Sequence, residues 1–131
     1  PEINLKNEKN NGECLLKLIE KNLILSSHDI SNGGLITALS EMALNSKFGA
    51  KIQKPKKLIN LFKYFFGEDQ ARYIVEIQIQ DLPLAEKILK EANIYYENIG
   101  FTQEDYFEVE GELKISTKEL FKINNQWYNS Y

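Results

Sequence analysis

The chain is organised around the stretch Ser26-Ser27-His28-Asp29-Ile30-Ser31-Asn32-Gly33-Gly34-Leu35. An apolar run of strand length, Leu23–Leu25, precedes this stretch, and apolar residues at helical spacing follow it. A strand that ends in a Gly-rich turn and opens a helix presents backbone N–H groups at the positive end of the helix dipole, where an anion can bind. A Gly-Gly pair before a helix is also typical of an ordinary tight turn. These residues alone therefore leave a phosphate site and a structural turn both open.

Two common nucleotide-binding signatures are absent from the sequence. A dinucleotide fingerprint needs Gly-x-Gly-x-x-Gly, and a Walker A loop needs Gly-Lys-Ser or Gly-Lys-Thr; neither occurs. The sequence therefore predicts neither a Rossmann-type cofactor site nor a P-loop.

Size, composition and charge indicate one ordinary globular domain over residues 1–131. The 131 residues suffice to bury a core but are too few for two domains. The formal net charge of −3 argues against a dedicated nucleic-acid binder, which would carry a basic excess on one face. The densest basic stretch, residues 51–57, contains Pro55 and is interpreted as a solvated loop.

The single cysteine and the single histidine exclude several kinds of site. Cys14 has no partner for an internal disulfide, and its neighbours Leu15 and Leu16 favour a buried or half-buried thiol over a nucleophile. One Cys and one His together give no zinc site of the usual composition.

The sequence shows no signal peptide and no run of about 20 apolar residues. We therefore expect a cytoplasmic protein without a membrane partner. Because the chain starts at Pro1 rather than at a methionine, we also expect a piece of a longer enzyme.

Hydrophobic periodicity predicts alternating helices and strands. Residues 1–11 are predicted as a linker or frayed helix start, followed by a helix from about Glu13 to Asn22, a strand at Leu23–Ser27 and a helix at Ile36–Leu44 with Gly49 as a left-handed cap. The next predicted elements are a strand at Ala50–Ile52, a helix at Lys57–Phe66, a strand at Arg72–Gln80 and a helix with Asp81 as N-cap and Pro83 in its first turn. The last are strands at Ile94–Thr102 and Tyr106–Ile115, the second interrupted at Gly111, and a helix from Ser116 to Trp127. This order predicts an α/β (α+β) fold, in which helices pack on a mixed, mostly antiparallel sheet of about four to five strands.

Three of these elements carry specific core predictions. Alternation in the strand Arg72–Gln80 places Tyr73, Val75, Ile77 and Ile79 on one face. The helix after Asp81 has an apolar face made of Leu84, Ile88, Leu89 and Ala92. The aromatic residues of Lys57–Phe66 are expected in the core rather than in a ligand pocket.

Three motifs carry a family resemblance. The first is His28 to Leu35 followed by Ala38-Leu39-Ser40-Glu41-Met42-Ala43, the second is Phe66-Gly67-Glu68-Asp69-Gln70-Ala71-Arg72-Tyr73, and the third is Asn98-Ile99-Gly100. By the residues and the order of these motifs, the chain resembles the carboxy-terminal domain of phosphoribosylformylglycinamidine synthase, the PurL-type subunit of purine biosynthesis. The resemblance covers nearly the whole chain. The same AIR synthase-related domain type occurs in aminoimidazole ribonucleotide synthetase.

Two positions depart from the family pattern. Asn32 stands where the family usually has Asp, which removes one charge from the turn and puts a metal or magnesium-phosphate contact there in doubt. Ala71 stands where Gly is common.

The resemblance implies a domain of an ATP-binding, magnesium-dependent ligase. The family activates formylglycinamide ribonucleotide with ATP, and ammonia from glutamine then gives the amidine, ADP and phosphate. The implied partners are the other domains of the same enzyme and, if it is a small PurL, a glutaminase and a small accessory subunit; nucleic acid is not among them. No catalytic residue of the family falls in this chain, so the isolated domain is expected to be inactive.

The resemblance also suggests roles for individual residues. Ser31, Asn32, Gly33 and Gly34 are the phosphate-binding or nucleotide-binding candidates, and no residue is predicted to bind a metal directly. His28 and Asp29 are expected to brace the turn through side-chain hydrogen bonds. Glu68, Asp69 and Arg72 are expected to brace a loop or contact another domain.

Two alternatives remain open. One is the C-terminal domain of another AIR synthase-superfamily enzyme, such as aminoimidazole ribonucleotide synthetase or thiamine-phosphate kinase, whose wording at the turn differs. The other is a non-catalytic scaffold domain that docks a partner through its sheet or its aromatic residues Phe62–Phe66. An exposed aromatic patch would support this alternative, and burial of Phe62, Phe65 and Phe66 would count against it.

Overall fold

The computed structural model describes residues 4–57 and 60–128, with side chains up to residue 126 in the last helix. The predicted helical residues Leu58 and Ile59 therefore lie outside the described residues. The elements of the described chain are α1 (Leu5–Glu20), β1 (Ser26–Asp29), α2 (Gly34–Ser46), β2 (Gly49–Ile52), α3 (Leu61–Phe66), β3 (Tyr73–Glu76), α4 (Leu82–Glu91), β4 (Gly100–Gln103), β5 (Tyr106–Val109), β6 (Leu113–Ser116) and α5 (Thr117–Tyr128). They form two compact units, one of Pro1–Ala38 with Phe66–Glu97 and one of Leu39–Phe65 with Asn98–Tyr131.

The first unit contains a two-stranded antiparallel sheet and a pair of helices. β1 pairs with β3 in a register that runs from Ser26 opposite Glu76 to Asp29 opposite Tyr73. Backbone hydrogen bonds continue the ladder beyond both ends of β1. Helices α1 and α4 contact each other, and the core of this unit consists of Cys14, Leu18, Leu23, Ala85 and Ile88.

Helix α1 begins at Leu5 rather than near the predicted Glu13. The side chain of Asn4 caps it by accepting a hydrogen bond from the Asn7 amide at 3.0 Å. This cap satisfies a terminal donor and offsets the cost of Gly12 inside the helix. The predicted burial of Cys14 is confirmed, and burial raises the pKa of its thiol while Lys17 lowers it in part.

The predicted positions of strands β1 and β3 need correction. The apolar run Leu23–Leu25 precedes the first strand, and β1 itself includes His28 and Asp29. β3 ends at Glu76, because the chain then turns into α4 through a hydrogen bond from the Asp81 amide to the Gln78 carbonyl. Its buried residue is Ile74, on the face opposite the predicted one.

The predicted inward residues of β3 and α4 are only partly correct. Ile79 lies in the turn before α4 and is 86% exposed. Asp81 occupies the N-cap position and Pro83 the first turn, as predicted, but the Asp81 side chain makes no cap hydrogen bond. α4 buries Ala85 and Ile88, one helical turn apart, whereas Leu84 and Ala92 are exposed.

The second unit contains a four-stranded mixed sheet in the order β4-β2-β5-β6. β2 and β5 are parallel, and the other two pairs are antiparallel. Ile52, Phe107 and Val109 are buried. This confirms the predicted α/β class with a mixed, mostly antiparallel sheet; the strands are divided between this sheet and the pair β1–β3.

Gly49 is not the left-handed cap of α2. The residue with positive φ after α2 is Lys47 (φ 63°), while Gly49 opens β2. A Cβ atom at Gly49 would collide with the backbone carbonyl of Tyr106 in β5. Glycine is therefore needed at position 49 because two backbones approach closely, and not because of a left-handed conformation.

The remaining predictions for helices and strands are confirmed in part. Phe65 is buried, but Phe62 is 70% and Phe66 49% exposed, since α3 is short and turns only part of its surface inward. The strand predicted at Ile94–Thr102 is confined to β4. The turn at Gly111 (φ 74°) and the start of α5, where the Ser116 hydroxyl accepts from the Glu119 amide at 3.1 Å, are confirmed.

No helix in the described part of the chain is long and apolar enough to cross a lipid bilayer.

Two glycine-to-alanine substitutions are expected to change stability in opposite directions. Gly12 lies inside α1 with open space around its missing Cβ, so Gly12→Ala should raise the free energy of unfolding by about 0.5–1 kcal/mol. Gly49→Ala should lower it by more than this, because the added Cβ meets the Tyr106 carbonyl. Urea unfolding followed by circular dichroism measures both. A Gly49→Ala variant as stable as the parent would contradict the close approach.

Candidate functional site

The turn between β1 and α2 is built on two consecutive left-handed glycines. Gly33 has φ 80° and Gly34 has φ 73°. The Gly34 amide donates to the Ser31 carbonyl at 3.1 Å, and the Thr37 hydroxyl donates to the Gly33 carbonyl at 3.1 Å. A Cβ at Gly33 would collide with the Thr37 side chain. Both backbone conformation and space therefore require glycine at position 33.

A carboxylate from the second motif closes this turn. The Gly33 amide donates to the Oε1 atom of Glu68 at 2.8 Å, across 35 residues of sequence. Helix α2 has no acidic residue in its own first turn, so Glu68 places a negative charge where the helix dipole is positive. The two motifs that were separate in the sequence are joined here by one charge-assisted hydrogen bond.

The predicted phosphate donors are therefore already hydrogen-bonded within the first unit. Gly33 donates to Glu68 and Gly34 donates to Ser31, while the residues Ser31 and Asn32 are themselves exposed. Ligand binding by these four residues stays a prediction, with the added condition that Gly33 must exchange one anionic acceptor for another.

His28 and Asp29 lie in β1, immediately before the turn. The His28 Nδ1 atom is 2.6 Å from the Asp29 carbonyl oxygen and 3.6 Å from the Asp29 carboxylate. Because a carbonyl oxygen can only accept, Nδ1 carries the proton in this contact. Their bracing of the turn stays a prediction.

A cavity of about 490 Å³ lies beside the turn within the first unit. Its charged and polar lining includes Glu8, Asp29, Asn32, Glu68, Arg72 and Tyr73. Its size falls in the range of small-ligand sites. Three carboxylates face one guanidinium, so the lining is net negative and opposes a bare phosphate group.

The described residues do not supply a magnesium site of their own. Among them, no group of three or more His, Cys, Asp or Glu residues is placed to hold a metal ion, and Asn32 provides no charge. Magnesium is commonly held by one or two carboxylates together with substrate phosphates.

The segment that carries Glu68 is tied to β1 and α1. The Ile30 amide donates to the Arg72 carbonyl at 2.9 Å, and the Asn11 side chain donates to the Ala71 carbonyl at 2.8 Å. The Arg72 guanidinium lies 3.6 Å from the Asp69 carboxylate, a loose pair in which the Asp69 side chain is 64% exposed. A domain-contact role for Glu68, Asp69 and Arg72 stays a prediction.

Tyr73 and Glu8 were not among the predicted site residues. The Tyr73 hydroxyl donates to Glu8 Oε1 at 3.2 Å, and the pKa of Tyr73 is raised first by burial and then by Glu8 and Asp29. Tyr73 thus remains a neutral donor at neutral pH. A prediction that placed the start of α1 at Asn4 would have made Glu8 and Asn11 candidate site residues. No pattern in the sequence indicates which residues they hydrogen-bond to.

The chain matches a known domain family and is similar to curated proteins of several bacteria. The family model "AIR synthase related protein, C-terminal domain" matches residues 1–111. Over all 131 residues the chain is 50% identical to phosphoribosylformylglycinamidine synthase subunit PurL of Pelagibacter ubique and 34% identical to that of Rhodopseudomonas palustris strain BisB5. The chain spans only 18% of the length of each relative.

Solved structures share the fold at low sequence identity. Thermotoga maritima PurL complexed with FGAR matches 87% of this chain and 21% of its own with a TM-score of 0.75, and PurL complexed with ATP matches 86% and 21% with a TM-score of 0.74. PurLQS from the same organism matches 87% and 21% with a TM-score of 0.75. Each is 18% identical to the chain, so these likenesses establish the fold alone.

The left-handed backbone at Ala71 (φ 62°) predicts a stabilising substitution. Non-glycine residues are strained in this region, so Ala71→Gly should raise the free energy of unfolding by about 0.5–1 kcal/mol. Ala38→Gly inside α2 is the matched control and should lower it by about 1 kcal/mol or more. Urea titration of both variants measures the difference. A loss of stability in Ala71→Gly would contradict the strain at this position.

Proposed function

Because the chain belongs to the AIR synthase related proteins, as their C-terminal domain, we propose that it serves as the C-terminal domain of a phosphoribosylformylglycinamidine synthase. The proposed activity of the whole enzyme is the ATP-dependent conversion of formylglycinamide ribonucleotide and glutamine-derived ammonia into the amidine, with ADP and phosphate as the other products. The observation that carries the proposal is the 50% identity to a PurL subunit over the entire chain.

The motifs support this member of the superfamily over the others. The segments His28–Leu35 and Phe66–Tyr73 have PurL-like sequences, and in the structure a hydrogen bond from the Gly33 amide to Glu68 joins them. Aminoimidazole ribonucleotide synthetase and thiamine-phosphate kinase have a different sequence at this turn.

The proposal assigns the chain a supporting role within the enzyme. We assign no catalytic residue here, so the isolated domain should not turn over substrate, and ATP and Mg²⁺ are cofactors of the whole enzyme. The proposed partners are its other domains and, if the enzyme is a small PurL, a separate glutaminase and a small accessory subunit, in keeping with the PurLQS structure that the fold resembles. The proposal includes a single domain over residues 1–131 and a location in the cytoplasm.

The proposal also assigns the turn Ser31-Asn32-Gly33-Gly34 as a phosphate or nucleotide contact. Its support is a left-handed Gly-Gly pair at the start of a 13-residue helix, next to a cavity large enough for a small ligand. Ser31 offers a hydroxyl, Gly33 offers the amide that now faces Glu68, and Arg72 lines the same cavity.

A domain-replacement experiment tests the enzymatic assignment. In Pelagibacter ubique PurL, the segment that matches this chain is replaced by the chain itself. We expect the chimera to form the amidine and ADP from formylglycinamide ribonucleotide, ATP and ammonia, because the domain supplies the same packing surfaces. The same chimera with Gly49→Ala is the control and should lose yield and activity together. A chimera that is folded but releases no ADP would contradict the proposal.

Gly34→Val tests the ligand role of the turn. Hydrogen–deuterium exchange of the peptide covering residues 29–38 is measured in the complete polypeptide with and without MgADP, so that nucleotide bound elsewhere does not contribute. MgADP should slow exchange in the parent and have no effect in Gly34→Val, since a β-branched residue cannot adopt φ 73°. Gly12→Ala should behave like the parent. No effect of MgADP on the parent peptide would make the turn purely structural.

A further inference from the structure

We propose that Glu68 is an internal competitor of the turn, an autoinhibitory contact whose carboxylate occupies the anion-binding amide of Gly33 and must leave before a phosphate group can bind. The inference rests on the ligand role proposed above for the turn. It adds the condition under which that role operates.

The contact reproduces the chemistry of a bound phosphate oxygen. An anionic oxygen of Glu68 accepts from the Gly33 amide at 2.8 Å, immediately before the first residue of α2. A phosphate oxygen would seek the same donor and the same positive end of the helix dipole. One amide hydrogen does not hold both acceptors at full strength, so the two states compete.

Gly33 is the donor in the turn that can be released. The Gly34 amide is held by the Ser31 carbonyl inside the turn itself, whereas the Gly33 amide is held by the end of a side chain. Glu68 is exposed and belongs to the irregular residues between α3 and β3. Its carboxylate can therefore swing into solvent without breaking a strand or a helix.

The charges that line the cavity also favour competition between Glu68 and a phosphate group. Glu8, Asp29 and Glu68 line the cavity with Arg72 as its cation. Departure of Glu68 removes one of the three carboxylates that repel a phosphate. It also leaves Arg72 available to a more strongly charged partner, because the pair that Arg72 forms with Asp69 is loose at 3.6 Å and the Asp69 side chain is exposed.

Glu68 variants test the competition in the complete polypeptide, with MgADP as the probe. The Kd is taken from the MgADP dependence of hydrogen exchange in residues 29–38. Glu68→Ala should tighten this Kd by about tenfold or more, because binding no longer displaces a charged acceptor. Glu68→Gln keeps the shape and an oxygen acceptor without the charge, and should fall between the parent and Glu68→Ala.

Glu20→Gln, at the exposed end of α1, is the matched control. It removes one carboxylate charge at a residue that does not line the cavity, and should change the Kd by less than about twofold. Without ligand, the Gly33 amide should exchange faster in Glu68→Ala than in the parent, which reports the contact independently of nucleotide. An equal gain in affinity for Glu20→Gln would attribute the effect to general charge and overturn the inference.

Two further outcomes separate this inference from the proposed function. If the parent binds MgADP and Glu68→Ala binds no more tightly, Glu68 is only a helix cap; the competition is then wrong and the ligand role stands. If neither the parent nor any Glu68 variant shows protection by MgADP, both the ligand role and the competition are wrong.

Discussion

The hydrogen bond from the Gly33 amide to the Glu68 carboxylate is the interaction that brings the two motif segments of the first unit together at the start of α2. It satisfies a donor just before α2, supplies the negative charge that the first turn of this helix lacks, and fixes the segment before β3 next to the end of β1. The β1–β3 ladder then continues past both ends of β1. One polar contact thus links a turn, a helix start and a strand pair that has its own backbone ladder.

Backbone proximity has the corresponding role in the second unit. The parallel pair β2–β5 requires Gly49 to pass close to the Tyr106 carbonyl, a separation that no side chain would permit. Phe107 and Val109 then point into the buried face of the sheet, whereas Glu108 between them forms ion pairs with Lys51 and Lys114 on the exposed face. The alternation along β5 therefore follows from the pleat of a half-buried strand.

The Gly33 amide at the start of α2 can bind either of two kinds of anion. A turn built to satisfy an anion at a helix start is equally suited to an internal carboxylate and to an external phosphate. Family membership and the 50% identical relative identify the kind of domain, but the net negative cavity and the occupied Gly33 amide are properties of this chain itself. The proposed ligand role of this turn thus depends on competition between two acceptors.

The sequence by itself determined the elements with strong local signals. These are helix α2 with its apolar face, the turn at Gly111, the cap at Ser116, the buried Cys14, and the three motifs that carry the family resemblance. It misplaced the start of α1, the buried face of β3 and the role of Gly49, because each depends on a partner distant in the chain. The pairing of Glu68 with Gly33 and of Tyr73 with Glu8 was decided only by the tertiary structure. A side chain's own sequence neighbourhood specifies what it can bind, whereas the fold specifies which partner comes within reach.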